Sequence, residues 1–364
     1  MDRSKIGEVS IAELLGREAE PVYGPEAGLI VEDATVLVTG SGGSIGSEIV
    51  RQLLHLGARK IVCLDNSEYA LYLLERELQG TALLVDETIV LADIRDSPAL
   101  NAIFMAHTPQ LVFHAAAYKH LPLLEKAPAS AVLTNTLGTH NVATACVTHG
   151  VKRFVNISTD KAADPISVLG MSKRLAEMLV KQHAGHGTRT ASVRFGNVFG
   201  SRGSFVETFV WQIANGLPVT VTDRAMTRYF MTIPQAAGLV IEAAVMADEG
   251  NTYVLDMGER YSVTGLIDRY AMLSGAEPPQ VMYTGLRKGE KIDEVLYSSR
   301  EVLKSTRHSS ISMVRADNTR GVSLEEVMLL CLTAQHGASP TEVRTELARL
   351  VTNSELPAIA SARA

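Results

Sequence analysis

One turn constrains this chain more than any other stretch. The apolar run Thr35-Val-Leu-Val-Thr39 leads straight into Gly40-Ser-Gly-Gly43-Ser44-Ile45-Gly46, and Ser47-Glu-Ile-Val-Arg-Gln-Leu-Leu then takes up helical periodicity. The branched apolar run predicts a buried strand, and the glycines let a backbone approach a pyrophosphate closely. The helix N-terminus that follows favours negative charge at the same place. A second strand-like run, Lys60-Ile-Val-Cys-Leu64, ends in Asp65 and Asn66, about twenty residues beyond the glycines, where an acid accepts hydrogen bonds from a ribose diol. A carboxylate there repels a 2′-phosphate, so the pattern predicts NAD in preference to NADP.

The strand-and-helix rhythm continues. Thr88-Ile-Val-Leu-Ala-Asp93 ends in an acid placed to meet an adenine, with Ile94 beside it. Leu111-Val-Phe-His-Ala115-Ala116-Ala117 ends in side chains small enough for a flat cofactor to lie against the backbone. Arg153-Phe-Val-Asn-Ile-Ser and Thr190-Ala-Ser-Val-Arg-Phe-Gly196 are further strands, with helical stretches between, including residues 135–147. Strands alternating with helices predict an α/β fold: a doubly wound parallel-sheet Rossmann domain with a smaller C-terminal substrate-binding lobe. The expected division is a connector over residues 1–33, a mainly NAD-binding part over 34–196 and a mainly substrate-binding lobe over 197–310 whose strands return to the sheet. Residues 311–364 form C-terminal helices and a tail. The connector holds a short helix at Ile11-Ala-Glu-Leu-Leu and a loop through Pro21 and Pro25. Two capping boxes, Ser323 with Glu326 and Ser339 with Glu342, start the last helices, and the tail is expected to fray from Asn353.

At the end of the Arg153 strand stand Thr159, Asp160 and Lys161, at the rim where open α/β sheets bind ligands. A helical pattern from Met171 brings Lys173 back toward the same point. A hydroxyl, an acid and an ammonium side by side suit proton transfer at one carbon framework. Taken alone, the stretch reads first as a solvated loop with a salt bridge, and the rest of the chain reverses that order. In the looser second half, Arg202, Arg228, Arg287, Lys288 and Lys291 sit in glycine-rich loops. Each fits a solvated surface charge, and together beside a cofactor fold they suit an anionic substrate. The net charge of −6 and the lack of a basic cluster exclude a nucleic-acid surface. Cys63, Cys146 and Cys331 lie far apart and read as buried thiols, not a disulfide set or a zinc site. The histidines show no metal-ligand spacing, so no metal is expected, and His183 and His186 read as surface residues of a turn. No apolar run is long enough to span a bilayer. A cytoplasmic, soluble homo-oligomer is expected.

The ordered set VLVTGSGGSIGSEI, FHAAAYKHLPLLE, NISTDKA, VRFGNVFGSRGSF, TRYFMTIPQA, YVLDMGE and GLRKGEKIDE resembles the extended short-chain dehydrogenase/reductase family. Within it the chain is similar to the bacterial polysaccharide-biosynthesis (CapD-like) dehydratases that act on UDP-N-acetylglucosamine. The resemblance implies that Gly40, Gly43, Ser44, Ile45, Gly46, Asp65, Asn66, Asp93, Ile94, Ala115, Ala116, Ala117 and Lys173 hold NAD. It implies that Lys119, His120, Asn197, Arg202, Ser204, Arg228, Arg287 and Glu290 lie along the UDP-sugar. Thr159, Asp160, Lys161 and Lys173 would be catalytic, with Lys161 where hexose dehydratases carry glutamate. The implied product is a UDP-4-keto-6-deoxy-N-acetylhexosamine with the C5 configuration retained.

Two departures stand out. Leu169 occupies the place of the family tyrosine four residues before Lys173, where some dehydratases carry methionine. Longer relatives place membrane helices ahead of a connector that IAELLGRE resembles, and no membrane span is expected here. A UDP-sugar epimerase or reductase of the same fold, or a catalytically silent NAD- or nucleotide-sugar-binding protein, are the alternatives.

Overall fold

The computed structural model describes residues 5–7, 9–16, 20–316 and 321–354. Two short strands, β1 (Lys5–Ile6) and β2 (Val9–Ser10), pair antiparallel ahead of the helix Ile11–Leu15. Then β3 (Thr35–Thr39), β4 (Lys60–Asp65), β5 (Ile89–Leu91), β6 (Leu111–His114), β7 (Arg153–Ile157) and β8 (Arg189–Arg194) alternate with helices. The second half adds β9 (Asn197–Phe199), β10 (Val219–Val221), β11 (Thr227–Thr232), β12 (Glu249–Leu255), β13 (Arg260–Ser262), β14 (Val281–Tyr283), β15 (Glu301–Ser305) and β16 (Ile311–Ala316).

Among the described residues, nine strands form one sheet in the order β15-β16-β12-β8-β7-β6-β3-β4-β5. It is parallel from β5 across to β12, and β16 and β15 close the far edge antiparallel. This is the expected doubly wound α/β architecture. Strand order reverses between β3 and β6, and at such a switch point the crevice beyond the strand ends is open to a ligand.

A parallel sheet must be covered on both faces, so its strands are apolar nearly throughout. On one face, Val36, Val38, Ile49, Leu53, Ala237 and Val240 join the sheet to the helices Ser44–His55 and Ile233–Met246. On the other, Leu37, Val62, Phe104, Val142, Cys146 and Phe154 pack under the helices Ser97–His107 and Gly138–Thr148. The helix Val168–Gln182 is buried in turn by Leu324–Gln335 and Pro340–Ser354. Ser323 and Ser339 cap those two helices, and at Ser339 both halves of the capping box form. Smaller sheets, β13-β11-β9 and β10-β14, make up a lobe with its own core of Phe199, Phe209, Phe230 and Tyr270. Ile11 and Leu14 of the first helix are part of that core, and the Tyr261 hydroxyl donates to the Leu15 carbonyl at 2.7 Å.

Several local expectations shift. Pro25 begins a helix, Pro25–Val31, where a loop is expected; its fixed φ suits the first helical position, whose N–H has no partner in any case. The helix carrying Lys173 begins at Val168, capped by Ser167, not at Met171. The helix expected over 135–147 is entered through a π-turn, Val132–Leu137. His183 is half-buried against His140 and Thr144, not free on the surface. Asn353 and Ser354 belong to the last helix, and residues 355–364 of the expected frayed tail lie outside the described residues. Among the described residues no helix is long and apolar enough to cross a membrane.

Candidate active site

The site starts at the glycine turn. Gly40 has a φ of +64°, and a Cβ on it would lie 2.6 Å from the Ala116 nitrogen, so the chain end of β3 and the alanine run after β6 touch backbone to backbone. At Gly46 a Cβ would meet the Gly40 oxygen at 2.1 Å, which seats the helix Ser44–His55 directly on the turn. No side chain caps that helix, whose N-cap is Gly43. The Ser41 hydroxyl, buried within the turn, has no partner among the described residues. A cradle of small residues at an uncapped helix N-terminus fits a pyrophosphate.

Asp65 sits at the end of β4. Its carboxylate accepts from the Gly42 N–H and the Ser67 N–H, both at 2.9 Å, so it braces the glycine turn. Asp93 is held below the usual carboxylate range, first by its hydrogen bonds from the Arg95 guanidinium, with Asn66 adding another. Ile94 is buried beneath Gly138, where a Cβ would lie 2.5 Å from its Cδ1. The structure thus brings Gly40, Gly43, Gly46, Asp65, Asn66, Asp93, Ile94 and Ala115 to Ala117 to one edge of the sheet.

The catalytic candidates lie across the switch point, beyond β7. Thr159 caps a single 3₁₀ turn, Asp160–Ala162, and donates from its hydroxyl to Asp160 Oδ1 at 2.8 Å. The Lys161 ammonium donates to the same oxygen at 3.1 Å. Asp160 is buried, and a Cβ on Gly196 would stand 3.3 Å from its Oδ2. Lys161 is also 3.5 Å from Glu294 Oε1. Burial opposes charge on Lys161, but Asp160 and Glu294 outweigh it and raise its pKa above the ordinary value. Both acids thus favour the ammonium form of Lys161 over the neutral amine that a base requires.

Lys173 comes from the helix Val168–Gln182 and donates to Asn156 Oδ1 at 3.4 Å. Burial pushes it down to about 8. His114, at the end of β6, is locked between the Thr39 and Thr139 hydroxyls at 2.6 and 3.0 Å. Burial, with the Lys173 charge behind it, drops His114 to about 3, so its imidazole is neutral. Leu169 packs in the apolar cluster with Leu124, Ala131 and Leu175.

The candidates for the sugar nucleotide fall into separate groups. Arg287 and Glu290 pair at 3.2 Å, and Thr222 donates to Glu290. Lys119 donates to the Arg202 carbonyl at 2.6 Å, while Arg202 reaches the glycine turn through the Ser44 hydroxyl and the Gly42 carbonyl. His120 stands against Gly203, and Ser204 caps the helix Phe205–Ala214. Asn197 opens β9, which pairs with β11. Arg228 is buried, and its guanidinium binds the carbonyls of Thr227, Lys291 and Ile292. As placed, it braces the segment that leads to Glu294.

Three features escape a reading of the sequence. Glu294 and His114 are two of them. The third is a buried network in which Arg194 binds Glu177 through two contacts of 2.7 Å and Glu301 at 2.8 and 3.0 Å, with Arg174 bonded to both acids. Ser158, next to the Asp160 turn, donates to Glu177 at 2.6 Å.

A family model described as "Polysaccharide biosynthesis protein" matches residues 36–316. The chain is 43% identical over 304 residues to the probable polysaccharide biosynthesis protein EpsC of Bacillus subtilis (strain 168), covering 82% of this chain and 50% of that one. It is 39% identical over 307 residues to the capsular polysaccharide biosynthesis protein CapD of Staphylococcus aureus, covering 83% and 51%. The chain spans about half the length of these curated relatives. Of solved structures, Pen from Bacillus thuringiensis matches with a TM-score of 0.71 and 32% identity, over 84% of this chain and 98% of that chain. The UDP-glucose 4-epimerase of Thermus thermophilus, solved in complex with NAD, matches with a TM-score of 0.61 and 25% identity, over 72% and 90%. The chain belongs to the polysaccharide biosynthesis protein family.

Proposed function

We propose that the chain is an NAD-dependent nucleotide-sugar enzyme, and specifically a 4,6-dehydratase acting on UDP-N-acetylglucosamine. The observation that carries this reading is the buried Asp160, whose Oδ1 is shared by the Thr159 hydroxyl and the Lys161 ammonium at the sheet's ligand rim. An acid–base pair on adjacent residues suits elimination across C5 and C6, which a simple epimerase does not perform. The solved likeness that binds NAD, together with the glycine cradle, supports the cofactor. Asp65 at the ribose end disfavours a 2′-phosphate.

Held in the glycine cradle, NAD supplies a hydride acceptor for C4 and later a hydride donor for C6. The protein does the rest. Asp160, with Thr159 beside it, takes the C4 hydroxyl proton in place of the tyrosine that Leu169 replaces. The resulting ketone acidifies the C5 hydrogen, which Lys161 removes once neutral. Asp160, now protonated, gives its proton to the departing C6 hydroxyl, so one carboxyl serves first as base and then as acid. Lys173 holds the nicotinamide ribose. Arg287, Glu290, Lys119 and His120 line the path proposed for the UDP-sugar, and Arg202 closes over the cofactor turn.

A UDP-sugar epimerase is the second reading, favoured by the likeness to the Thermus enzyme. Incubation with UDP-N-acetylglucosamine and NAD, read by product mass, separates the two. We expect a product lighter by one water, and little turnover with NADP in place of added NAD. Unchanged mass with an altered C4 configuration would establish the epimerase instead.

A further inference from the structure

Glu294 is the one member of the acid–base cluster that the proposed mechanism leaves without a task. It is 3% exposed, and its Oε2 has no hydrogen-bond partner among the described residues. A buried carboxylate oxygen without a donor costs free energy, and a catalytic role is one of the physical reasons a folded protein keeps such a group. Several contacts also hold the backbone that carries this carboxylate. Arg228 grips the carbonyls of Lys291 and Ile292, and the Arg260 guanidinium donates to the Glu294 carbonyl at 3.1 Å. From the same segment, the Lys291 ammonium reaches back to the Ala163 and Asp164 carbonyls at 3.4 and 2.7 Å. These bonds tie the Glu294 segment to the loop that carries Asp160 and Lys161.

The dehydratase reading has an unfilled need at this point. Lys161 must lose a proton before it can take the C5 hydrogen, and Asp160 is by then already protonated from C4. Resting on that reading, we propose that Glu294 takes the proton of Lys161 during turnover and returns it at the end of the cycle.

The protons then balance. On this proposal the cycle starts with Asp160 and Glu294 free to accept a proton and Lys161 carrying one. Oxidation at C4 leaves its hydroxyl proton on Asp160, and transfer from Lys161 to Glu294 makes all three groups neutral. Lys161 then takes the C5 proton as the C6 oxygen leaves with the Asp160 proton as water. Hydride returns to C6, Lys161 gives a proton back to C5, and Glu294 restores the ammonium. Glu294 touches no reacting carbon; it acts through Lys161, which also faces Asp160 on its own turn and, at longer range, Arg228 from β11.

The test is E294Q, which keeps size and an acceptor for Lys161 but takes no proton, compared with E294D, which keeps a carboxylate. In D2O near neutral pH, E294Q should incorporate deuterium at C5 and turn over roughly 10²-fold more slowly, the loss expected for a missing proton acceptor. Its burst of reduced cofactor on mixing with substrate should be unchanged, because oxidation at C4 precedes the need for Glu294. Its rate should climb by about tenfold per pH unit below the Lys161 pKa, since solvent must now remove the proton. The wild type should not show that climb over the same range, and E294D should recover part of the rate. Wild-type turnover by E294Q, or a loss identical at every pH, would overturn the role of Glu294 while leaving the dehydratase reading standing. Failure of the wild type itself to release water would overturn both.

Discussion

Two groups of charges meet at the Asp160 turn, one beside it and one on it, and they are built to opposite plans. Around Arg194, two acids meet two guanidinium groups, and every carboxylate oxygen of Glu177 and Glu301 receives a donor. Around Lys161, two acids share one ammonium at 3.1 and 3.5 Å, and one oxygen of Glu294 is left over. A saturated network has no spare site for a proton and can only hold its parts in place. An unsaturated one has somewhere for a proton to go. The first joins β8, β15 and the helix of Lys173; the second opens on the ligand rim. On the proposed reading, the first cluster serves stability and the second serves chemistry.

The largest effect is expected from breaking the saturated cluster. R194M leaves Glu177 and Glu301 buried without their main partner, which should cost about 3–5 kcal/mol of stability. The wild-type cluster should also make the protein acid-sensitive over a defined range. Burial alone would raise the Glu177 carboxyl, but Arg194, Arg174 and Ser158 hold it at about 2. A carboxyl depressed in the folded state contributes fully above its ordinary pKa, and that contribution fades as pH falls from there toward 2. Thermal unfolding against pH reads both. Normal stability in R194M would break the distinction between the clusters.

A change in the catalytic cluster should do the reverse, lowering activity while sparing the fold. D160N should lose at least ~10²-fold in turnover with unfolding and NAD binding close to wild type. If Asp160 is also the base at C4, as proposed, this variant should give no transient absorbance of reduced cofactor on mixing with substrate. A normal transient would show that the C4 proton leaves through Thr159 or water. The smallest effect is expected at Leu169. It packs among Leu124, Ala131 and Leu175, so L169M should keep most of the activity and cost under about 1.5 kcal/mol. A large loss of rate there would place Leu169 in the chemistry instead.

What the sequence disclosed follows from how local each feature is. The glycine turn, the acid ending β4, the acid just past β5, the alanines after β6 and the Thr159-Asp160-Lys161 triplet each lie at or just beyond a strand end. Period and punctuation reveal strand ends. The paired clusters were hidden because their members meet only when the sheet closes. Glu177 and Glu301 reach Arg194 from 17 and 107 residues away along the chain. Glu294 lies inside GLRKGEKIDE, a stretch legible for its basic residues. Nothing local marks its last glutamate as buried, because the carbonyl grips of Arg228 and Lys291 put it there. Arg202 and Arg228 show the same limit from the other side: charge is visible in a sequence, but not whether its donors are already engaged by backbone carbonyls.

The central claim is an internal transfer of hydrogen from C4 to C6 on a single sugar. UDP-N-acetylglucosamine carrying deuterium at C4, incubated with the wild-type protein in ordinary water, tests it in one proton NMR spectrum. The account predicts that the label appears in the C6 methyl group of a product that has lost water. Label found again at C4, or washed out into solvent, would contradict it.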